Sequence, residues 1–146
     1  MKIKFLRFHP EVKIPQRKHA SDTGADIFML EDGCIFNGET KVIPLGFGIE
    51  VPNGHSARLQ VRTSIAKQGV MIQGCAIDAG YKGEIHMILH NINQALTISS
   101  HEYRSEFVWK KGDRLGYIEV YPCQYPSFVE DELTERGDGA FGSSGR

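Results

Sequence analysis

Short apolar runs recur along the chain, and turn residues separate them. In "SARLQVR", the apolar residues Ala57, Leu59 and Val61 alternate with polar ones, so they share one face of an extended strand. The segment "EIHMILH" repeats this alternation over residues 85–89. Further short runs are "KIKFLRF", "KVIPLGFGIEVP", "ALTISS" and "RLGYIEVYP". A period of two is typical of half-buried β-strands, so the pattern predicts an all-β domain of many short strands.

Glycine and proline mark the turns between these strands, for example in "PNGH" and "KKGD". We predict one short helix, in "TSIAKQG", which Thr63 or Ser64 would cap and Gly69 would end. The segment "KKGDRLGY" resembles a hairpin. A plain turn is the favoured interpretation, and a pair between Asp113 and Arg114 is the alternative. Many short strands with such turns favour a barrel or a sandwich.

The end of the chain has a different composition. From about residue 127 it becomes acidic, in "VEDELTE", and then rich in glycine. This change predicts a β-domain over residues 1–128 and an arm over residues 129–146.

Composition narrows the class of protein. The 146 residues suffice for one domain with a core, and the formal net charge of −1 gives no reason to expect nucleic acid or membranes as partners. The first residues lack an apolar stretch long enough for a signal peptide or a membrane span. Three cysteines (Cys34, Cys75 and Cys123) without C-x-x-C spacing argue against a disulfide framework and favour a reduced, cytoplasmic setting.

The histidines do not indicate a metal site. His86 and His90 are four residues apart, which on a helix would suit zinc. On the predicted strand they would lie about 13 Å apart, too far to share one ion. The pattern therefore favours two strand histidines.

The segment "GCAIDAGYKGEI" places Asp78 at a turn after an apolar run, with Tyr81 three residues later. One interpretation is a hairpin whose aspartate bonds its own turn backbone. The other is a carboxylate beside an aromatic wall, which can take a proton from water and so make a nucleophile. The residues alone do not decide between these two interpretations.

Two further segments have the chemistry of a phosphate and metal site. Arg62, Thr63 and Ser64 combine a guanidinium, two hydroxyls and the start of the short helix, which suits phosphate oxygens; the alternative is a helix cap. In "SDTGADI", Asp22 and Asp26 flank a glycine and can serve magnesium directly or through water; the alternative is a plain turn.

The tail "RGDGAFGSSGR" holds a lone aromatic, Phe141, among glycines and hydroxyls. It is either a disordered tail or a flap. In a flap, Arg136 would pair with an anion, backbone N–H groups with Ser143 and Ser144 would surround it, and Phe141 would stack on a flat ring. Gly-Lys-Ser/Thr is absent, so this is not the phosphate loop of nucleotide hydrolases.

The order of these segments resembles the trimeric dUTPase family: an acidic turn, R-T-S, I-D-A-G-Y, G-D-R, and then R-G-x-G-x-F-G-S-S-G. The resemblance extends from about Ala20 to Gly145. It implies a distorted jelly-roll β-barrel assembled as a homotrimer, in which the arm closes over the active site of a neighbouring subunit. It also implies hydrolysis of dUTP to dUMP and pyrophosphate with Mg²⁺, which limits uracil in DNA and supplies dUMP for thymidylate synthesis.

The resemblance also implies roles for the nucleoside-binding residues. Asp78 resembles the catalytic aspartate that positions and deprotonates the water attacking the α-phosphorus. Tyr81 resembles the tyrosine that packs on deoxyribose and leaves no room for a 2′-hydroxyl. A hairpin from about Gln73 to Asp78, including Ala76 and Ile77, is expected to recognise uracil through backbone groups, and His86 is expected near the nucleotide.

On the phosphate side, Arg62, Thr63 and Ser64 resemble the family's phosphate-binding segment. Asp26 resembles the aspartate that holds the water shell of magnesium. In the arm, Arg136 resembles the arginine that contacts the terminal phosphate. Phe141 resembles the aromatic that stacks over uracil, and it is followed by the glycine and serines of the flap: Gly142, Ser143 and Ser144.

The chain departs from the family pattern at Tyr117, where the family usually has glutamine, and at Ala140, where it usually has glycine. Any contact made by that glutamine is therefore in question. A related enzyme, dCTP deaminase, needs a glutamate ten residues after the aspartate, and Ile88 at that position cannot transfer protons. A non-catalytic binding protein on this scaffold is disfavoured by the joint presence of Asp78, Tyr81, Arg136 and Phe141, although an additional protein partner stays open.

Overall fold

A computed structural model describes residues 1–74, 76–94, 96–98, 101–103 and 106–131. Within these residues lie thirteen β-strands and one short α-helix. The elements are β1 (Lys4–Arg7), β2 (Ala25–Asp26), β3 (Gly33–Phe36), β4 (Thr40–Pro44), β5 (Phe47–Glu50), β6 (His55–Val61), α1 (Thr63–Ala66), β7 (Val70–Ile72), β8 (Ala76–Ile77), β9 (His86–Asn91), β10 (Leu96–Ile98), β11 (His101–Tyr103), β12 (Glu106–Trp109) and β13 (Gly116–Pro122). The all-β class with at most one short helix is confirmed.

The strands pair antiparallel in several small sheets rather than in one continuous sheet. The largest has the order β2–β13–β6–β8, and a second has the order β4–β9–β7. Three two-stranded pairs, β1–β5, β3–β12 and β10–β11, complete the set. The two edge strands of the four-stranded sheet, β2 and β8, each lead to candidate site residues.

The alternation in the sequence correctly assigns the core face of the central strands. Ala57 and Leu59 of β6 are buried, as are the alternate residues Ile85, Met87 and Leu89. Phe5 stacks on the buried Phe47 with ring centroids 5.2 Å apart. Because alternate strand residues point to opposite faces, these strands turn their polar residues away from the core.

The short helix lies where the sequence predicts, but its start differs. The helix begins at Thr63, and the extended residue before it, Arg62, makes no side-chain capping hydrogen bond. The predicted cap by Thr63 or Ser64 is therefore wrong, because both residues lie inside the helix. Gly69 follows the helix with φ of 80°, a left-handed conformation that suits glycine at a helix end, as predicted.

In the described part of the chain, no helix has the length and apolarity to cross a membrane. Cys34 and Cys123 are free thiols, and burial together with the Glu106 carboxylate raises the pKa of Cys34. Beyond β13 the described residues up to 131 form no helix or strand. The boundary near residue 128 stays a prediction.

Candidate functional site

A cavity of about 200 Å³ lies beside β8, at one edge of the four-stranded sheet. We call it the Asp78 pocket. It brings together five residues that the sequence predicts for the nucleoside side: Ala76, Ile77, Asp78, Tyr81 and His86. The remaining lining residues are Leu59, Gly74, Glu84 and Ile85.

A tight turn places Asp78 at the pocket. The Tyr81 amide donates to the Asp78 carbonyl at 3.2 Å, and Gly80 has φ of 89°. Glycine in the third position with positive φ is the pattern of a type II turn, so the predicted turn is confirmed. The Asp78 side chain is exposed, and no hydrogen bond to the described residues holds its carboxylate. This geometry favours a carboxylate available to water over one that bonds its own turn.

Tyr81 forms a wall of the pocket in a fixed orientation. Its hydroxyl donates to the Glu84 carbonyl at 2.8 Å, and Tyr81 itself is 46% exposed. The ring crosses Gly83 so closely that a Cβ there would lie 2.4 Å from the tyrosine oxygen. Glycine at position 83 therefore lets the ring lie flat against the backbone.

The expected hairpin from Gln73 to Asp78 is wrong. The strand before it, β7, pairs with β9, and the Gln73 amide donates to the Ile88 carbonyl at 3.0 Å. The strand after it, β8, pairs instead with β6. Because β7 and β8 belong to different sheets, the segment passes between two sheets, and Gln73 is not among the residues lining the pocket.

A second cavity of about 490 Å³ lies near β2, at the opposite edge of the same sheet. We call it the Asp26 cleft. Its lining residues are mostly polar: Lys18, His19, Ser21, Asp22, Thr23, Gly24, Asp26, Arg62 and Tyr117. Asp22 accepts a hydrogen bond from the His19 amide at 2.9 Å, so it stabilises its own turn.

Two arginines flank Asp26. Arg114 Nη1 lies 3.0 Å from one carboxylate oxygen, and Arg62 Nε lies 3.7 Å from the other. The alternative in which Asp113 pairs with Arg114 is therefore wrong. Asp113 instead accepts a hydrogen bond from the Lys110 amide at 2.9 Å, which holds its turn.

Thr63 and Ser64 are exposed and do not line the Asp26 cleft. The amides of Ile65 and Ala66 both donate to the Arg62 carbonyl at 2.9 Å. Of the predicted phosphate segment, the structure thus places only Arg62 in the cleft, with two exposed hydroxyls following it.

Tyr117 lies on β13, between β2 and β6, and lines the Asp26 cleft. It pairs across the sheet with Asp26 on one side and Gln60 on the other. Its ring lies directly on Gly24, where a Cβ would come within 2.0 Å of the Cδ2 atom. The aromatic side chain therefore packs against the acidic turn and forms part of the cleft wall.

The Asp26 cleft suits magnesium that is held through its bound water, and not magnesium coordinated directly by protein side chains. Among the described residues, no group of three or more His, Cys, Asp or Glu side chains is placed to hold a metal. Asp26 is a single carboxylate with two guanidinium neighbours, which oppose direct binding of a cation. Its oxygens can still accept hydrogen bonds from metal-bound water when another ligand supplies the remaining coordination.

The pocket and the cleft are separate within one protomer. Their strands, β8 and β2, have β6 and β13 between them. Three inter-strand spacings amount to about 14 Å across the sheet. One protomer therefore does not bring Asp78 together with Asp26 and Arg62.

The sequence matches a known protein family and named relatives. Residues 10–145 match the family model described as dUTPase. The chain belongs to the dUTPase family. Among dUTPases, a deoxyuridine 5′-triphosphate nucleotidohydrolase of Clostridium tetani is 33% identical over 100% of this chain and 97% of its own length. One from Picosynechococcus is 33% identical over 99% of each chain.

Solved dUTPase structures share the fold. A Staphylococcus bacteriophage 80alpha dUTPase bound to dUpNHpp superposes with a TM-score of 0.83 at 22% identity, over 99% of each chain. A variant dUTPase of phage phi11 of S. aureus, which coordinates a structural Mg(II) ion, gives 0.79 at 21% identity, over 92% of this chain and 99% of its own. The distorted jelly roll expected from the dUTPase resemblance is confirmed.

The arm residues of the dUTPase pattern lie within the family match but outside the described residues: Arg136, Phe141, Gly142, Ser143 and Ser144. The structure adds three residues that sequence reasoning did not assign to the site. Lys18 lies within the basic stretch Arg17–His19 that precedes the acidic turn, and this stretch was an available signal. Arg114 and Glu84 reach their positions through contacts distant in sequence, which no local pattern indicates.

Proposed function

We propose that the chain hydrolyses dUTP to dUMP and pyrophosphate. The Asp78 pocket would take the nucleoside and the α-phosphate, and the Asp26 cleft would take the rest of the triphosphate. The observation that carries the proposal is the Asp78 carboxylate, which no described residue binds and which shares a cavity with the Tyr81 wall. Family membership supports the reaction.

Asp78 acts as the general base. Its exposed carboxylate takes a proton from a water molecule, and the resulting nucleophile attacks the α-phosphorus. The bond to the bridging oxygen then breaks, and pyrophosphate leaves. A positioned general base contributes about 10²- to 10⁴-fold to the rate.

The other pocket residues select the nucleoside. Tyr81, held by Glu84, packs on the deoxyribose and leaves no space for a 2′-hydroxyl. The backbone of Ala76 and Ile77, which line the pocket, recognises uracil. Because Ile77 is buried and its carbonyl accepts a hydrogen bond from Ser56 at 3.1 Å, this backbone has a fixed position.

The cleft residues bind the phosphates. Arg62 supplies positive charge, and Lys18 adds to it. Thr63 and Ser64 lie outside the cleft lining, and their exposed hydroxyls would donate hydrogen bonds to phosphate oxygens that extend past Arg62. Mg²⁺ would be held by phosphate oxygens, with Asp26 accepting from a water of its shell. When bound, it supplies positive charge that offsets the charge gained by the leaving pyrophosphate.

A homotrimer would bring the Asp78 pocket of one protomer to the Asp26 cleft of another. We call the pocket and the cleft the two half-sites. If the Asp26 cleft of one protomer faces the Asp78 pocket of the next, each interface completes one site, and such a heterologous contact can close into a ring. Exposed apolar residues support assembly, because Val42 and Met71 lie on the outer face of β4–β9–β7 and are 58% and 48% exposed. The arm would then cover the site, with Arg136 on the terminal phosphate and Phe141 over uracil.

The test is pyrophosphate release from dUTP, dCTP, dTTP and UTP, each with and without Mg²⁺. We expect release from dUTP in the presence of Mg²⁺ and little from the other three. Folded protein that leaves dUTP intact with Mg²⁺ present would refute the proposal. Ammonia release from dCTP would instead indicate deamination.

A further inference from the structure

A further cavity, of about 420 Å³, shares only Glu84 with the Asp78 pocket and no residue with the Asp26 cleft. It lies beside β4, an edge strand, where the start of β3 and the end of β12 also contribute to its lining. We call it the Trp109 cavity, because the indole of that residue forms part of its wall. Other parts of the wall are four apolar side chains that the proposed function does not use: Phe8, Met29, Leu30 and Ile43.

Trp109 is buried, but its indole N–H has no partner among the described residues. Only 3% of the residue is exposed, and its ring lies against Gly33, where a Cβ would come within 3.0 Å of Nε1. No described residue accepts a hydrogen bond from Nε1. Every described side-chain nitrogen or oxygen that is fully shielded from solvent does have a partner. The unpaired Nε1 therefore keeps a small accessible surface, and the cavity that Trp109 lines provides it.

The charged side chains that line the cavity differ from the indole, because they are paired or exposed. Lys41 Nζ donates to a backbone carbonyl of β3 at 2.7 Å. Glu84 accepts from a backbone amide at 2.8 Å, and Asp32 accepts from the Lys111 amide at 2.8 Å. Glu31 is exposed to solvent. The cavity thus offers a ligand one buried donor between apolar walls, and no unpaired buried charge.

We propose that the Trp109 cavity is a second binding site, for a small uncharged molecule with an apolar body and one acceptor oxygen. The oxygen accepts a hydrogen bond from the indole N–H, and the body packs on the apolar walls. Small-molecule sites combine mostly apolar walls with few polar groups, and a buried tryptophan N–H usually has a partner. An ion would lose its hydration without gaining a free opposite charge, so the ligand is uncharged. This site goes beyond the proposed function, because it contains neither Asp78 nor Asp26.

The test uses two probes of nearly the same shape. The ketone para-fluoroacetophenone has a carbonyl acceptor, and the alkene para-fluoro-α-methylstyrene has a CH₂ group in its place. Fluorine NMR measures the dissociation constants of both probes for wild type and for Trp109→Phe, which keeps an apolar ring and removes the donor. Because the ratio of the two constants is compared between the proteins, the different transfer free energies of the probes cancel. We expect the relative affinity for the ketone to fall about three- to tenfold in Trp109→Phe, the range for one neutral hydrogen bond.

Trp109 is the single tryptophan of the chain, which gives a second readout. In nitrogen-labelled wild-type protein the indole N–H produces one cross-peak. The ketone should move its proton further downfield than the alkene does, because a hydrogen bond deshields the proton.

Ile43→Phe tests the location, because the larger side chain fills the cavity and should abolish the binding of both probes. Val108→Phe is the matched control. It makes the same kind of change on β12, where Val108 is 52% exposed and lies outside the cavity. We expect the control to bind both probes as wild type does.

An unchanged ratio in Trp109→Phe would overturn the inference, because the indole N–H would then make no bond to the ketone. Wild-type protein that shows no saturable binding of either probe would overturn it too, as would binding that persists in folded Ile43→Phe. If Ile43→Phe does not fold, the Trp109→Phe comparison and the indole signal still decide. None of these measurements depends on dUTP hydrolysis, so failure of this inference is distinguishable from failure of the proposed function.

Discussion

Replacing Gly24 by alanine is expected to destabilise the protein by about 2 kcal/mol, because the new methyl group would overlap the ring of Tyr117. A Cβ at this position would lie 2.0 Å from Cδ2 and 2.9 Å from Cγ and Cε2. Carbon atoms in contact normally stand about 3.5 Å or more apart, so the ring must shift by roughly 1.5 Å. The backbone of Gly24 is not in the left-handed region, so the clash with the ring is the main cost.

The size of the effect follows from measured costs of overpacking. Extra methylenes in packed positions typically cost about 1–3 kcal/mol. In a domain of this size, about 1 kcal/mol shifts the melting temperature by roughly 2–4 °C. Gly24→Ala should therefore lower the melting temperature by about 4–8 °C.

A double-mutant cycle isolates this contact. In a Tyr117→Ala background the ring is absent, so Gly24→Ala should cost less than about 0.5 kcal/mol. In a Tyr117→Phe background the ring remains, and nearly the full cost should persist. Denaturation is measured at a fixed protomer concentration, since assembly would change apparent stability. If the Gly24→Ala cost is equal in all three backgrounds, the contact between the ring and the acidic turn is not the cause.

Two predictions concern catalysis. Asp78→Asn should lower turnover by about 10²- to 10⁴-fold, because it removes the base, with only a modest loss of nucleotide binding; near-normal turnover in a pyrophosphate assay would contradict the assignment. Deleting residues 136–146 should abolish most hydrolysis and leave the proposed trimer intact by light scattering, because the arm is proposed only to cover the site; a fully active truncation would show that the arm is only a tail.

Local patterns in the sequence predict the strands well. Alternation over residues 85–89 assigns the core face of β9, and the turn after Ile77 is evident from Asp78 and Gly80. Strand pairing is not evident, because it depends on partners far away in the chain. The segment after Gln73 resembles a hairpin locally, yet its flanking strands find better partners in two different sheets.

The charge pairs cannot be predicted from local sequence either. Asp113 and Arg114 are neighbours in sequence and carry opposite charges. Arg114 instead reaches Asp26, 88 positions away, because β2 and β13 lie side by side. The family motifs select the site residues by type, whereas the contacts among them depend on tertiary structure. The residues of the arm lie outside the described residues, so their assignment stays a prediction.

The separation of the two half-sites on opposite sheet edges has a genetic consequence. In the proposed homotrimer, a substitution in the Asp26 cleft would impair the chemistry of a neighbour's Asp78 and not that of its own chain. Two alleles that are each inactive, one altered at Asp78 and the other at Arg62, could then complement each other in mixed assemblies. Conversely, a copy altered in both half-sites would be expected to reduce the output of a normal copy expressed beside it, because it pairs a normal pocket with a defective cleft.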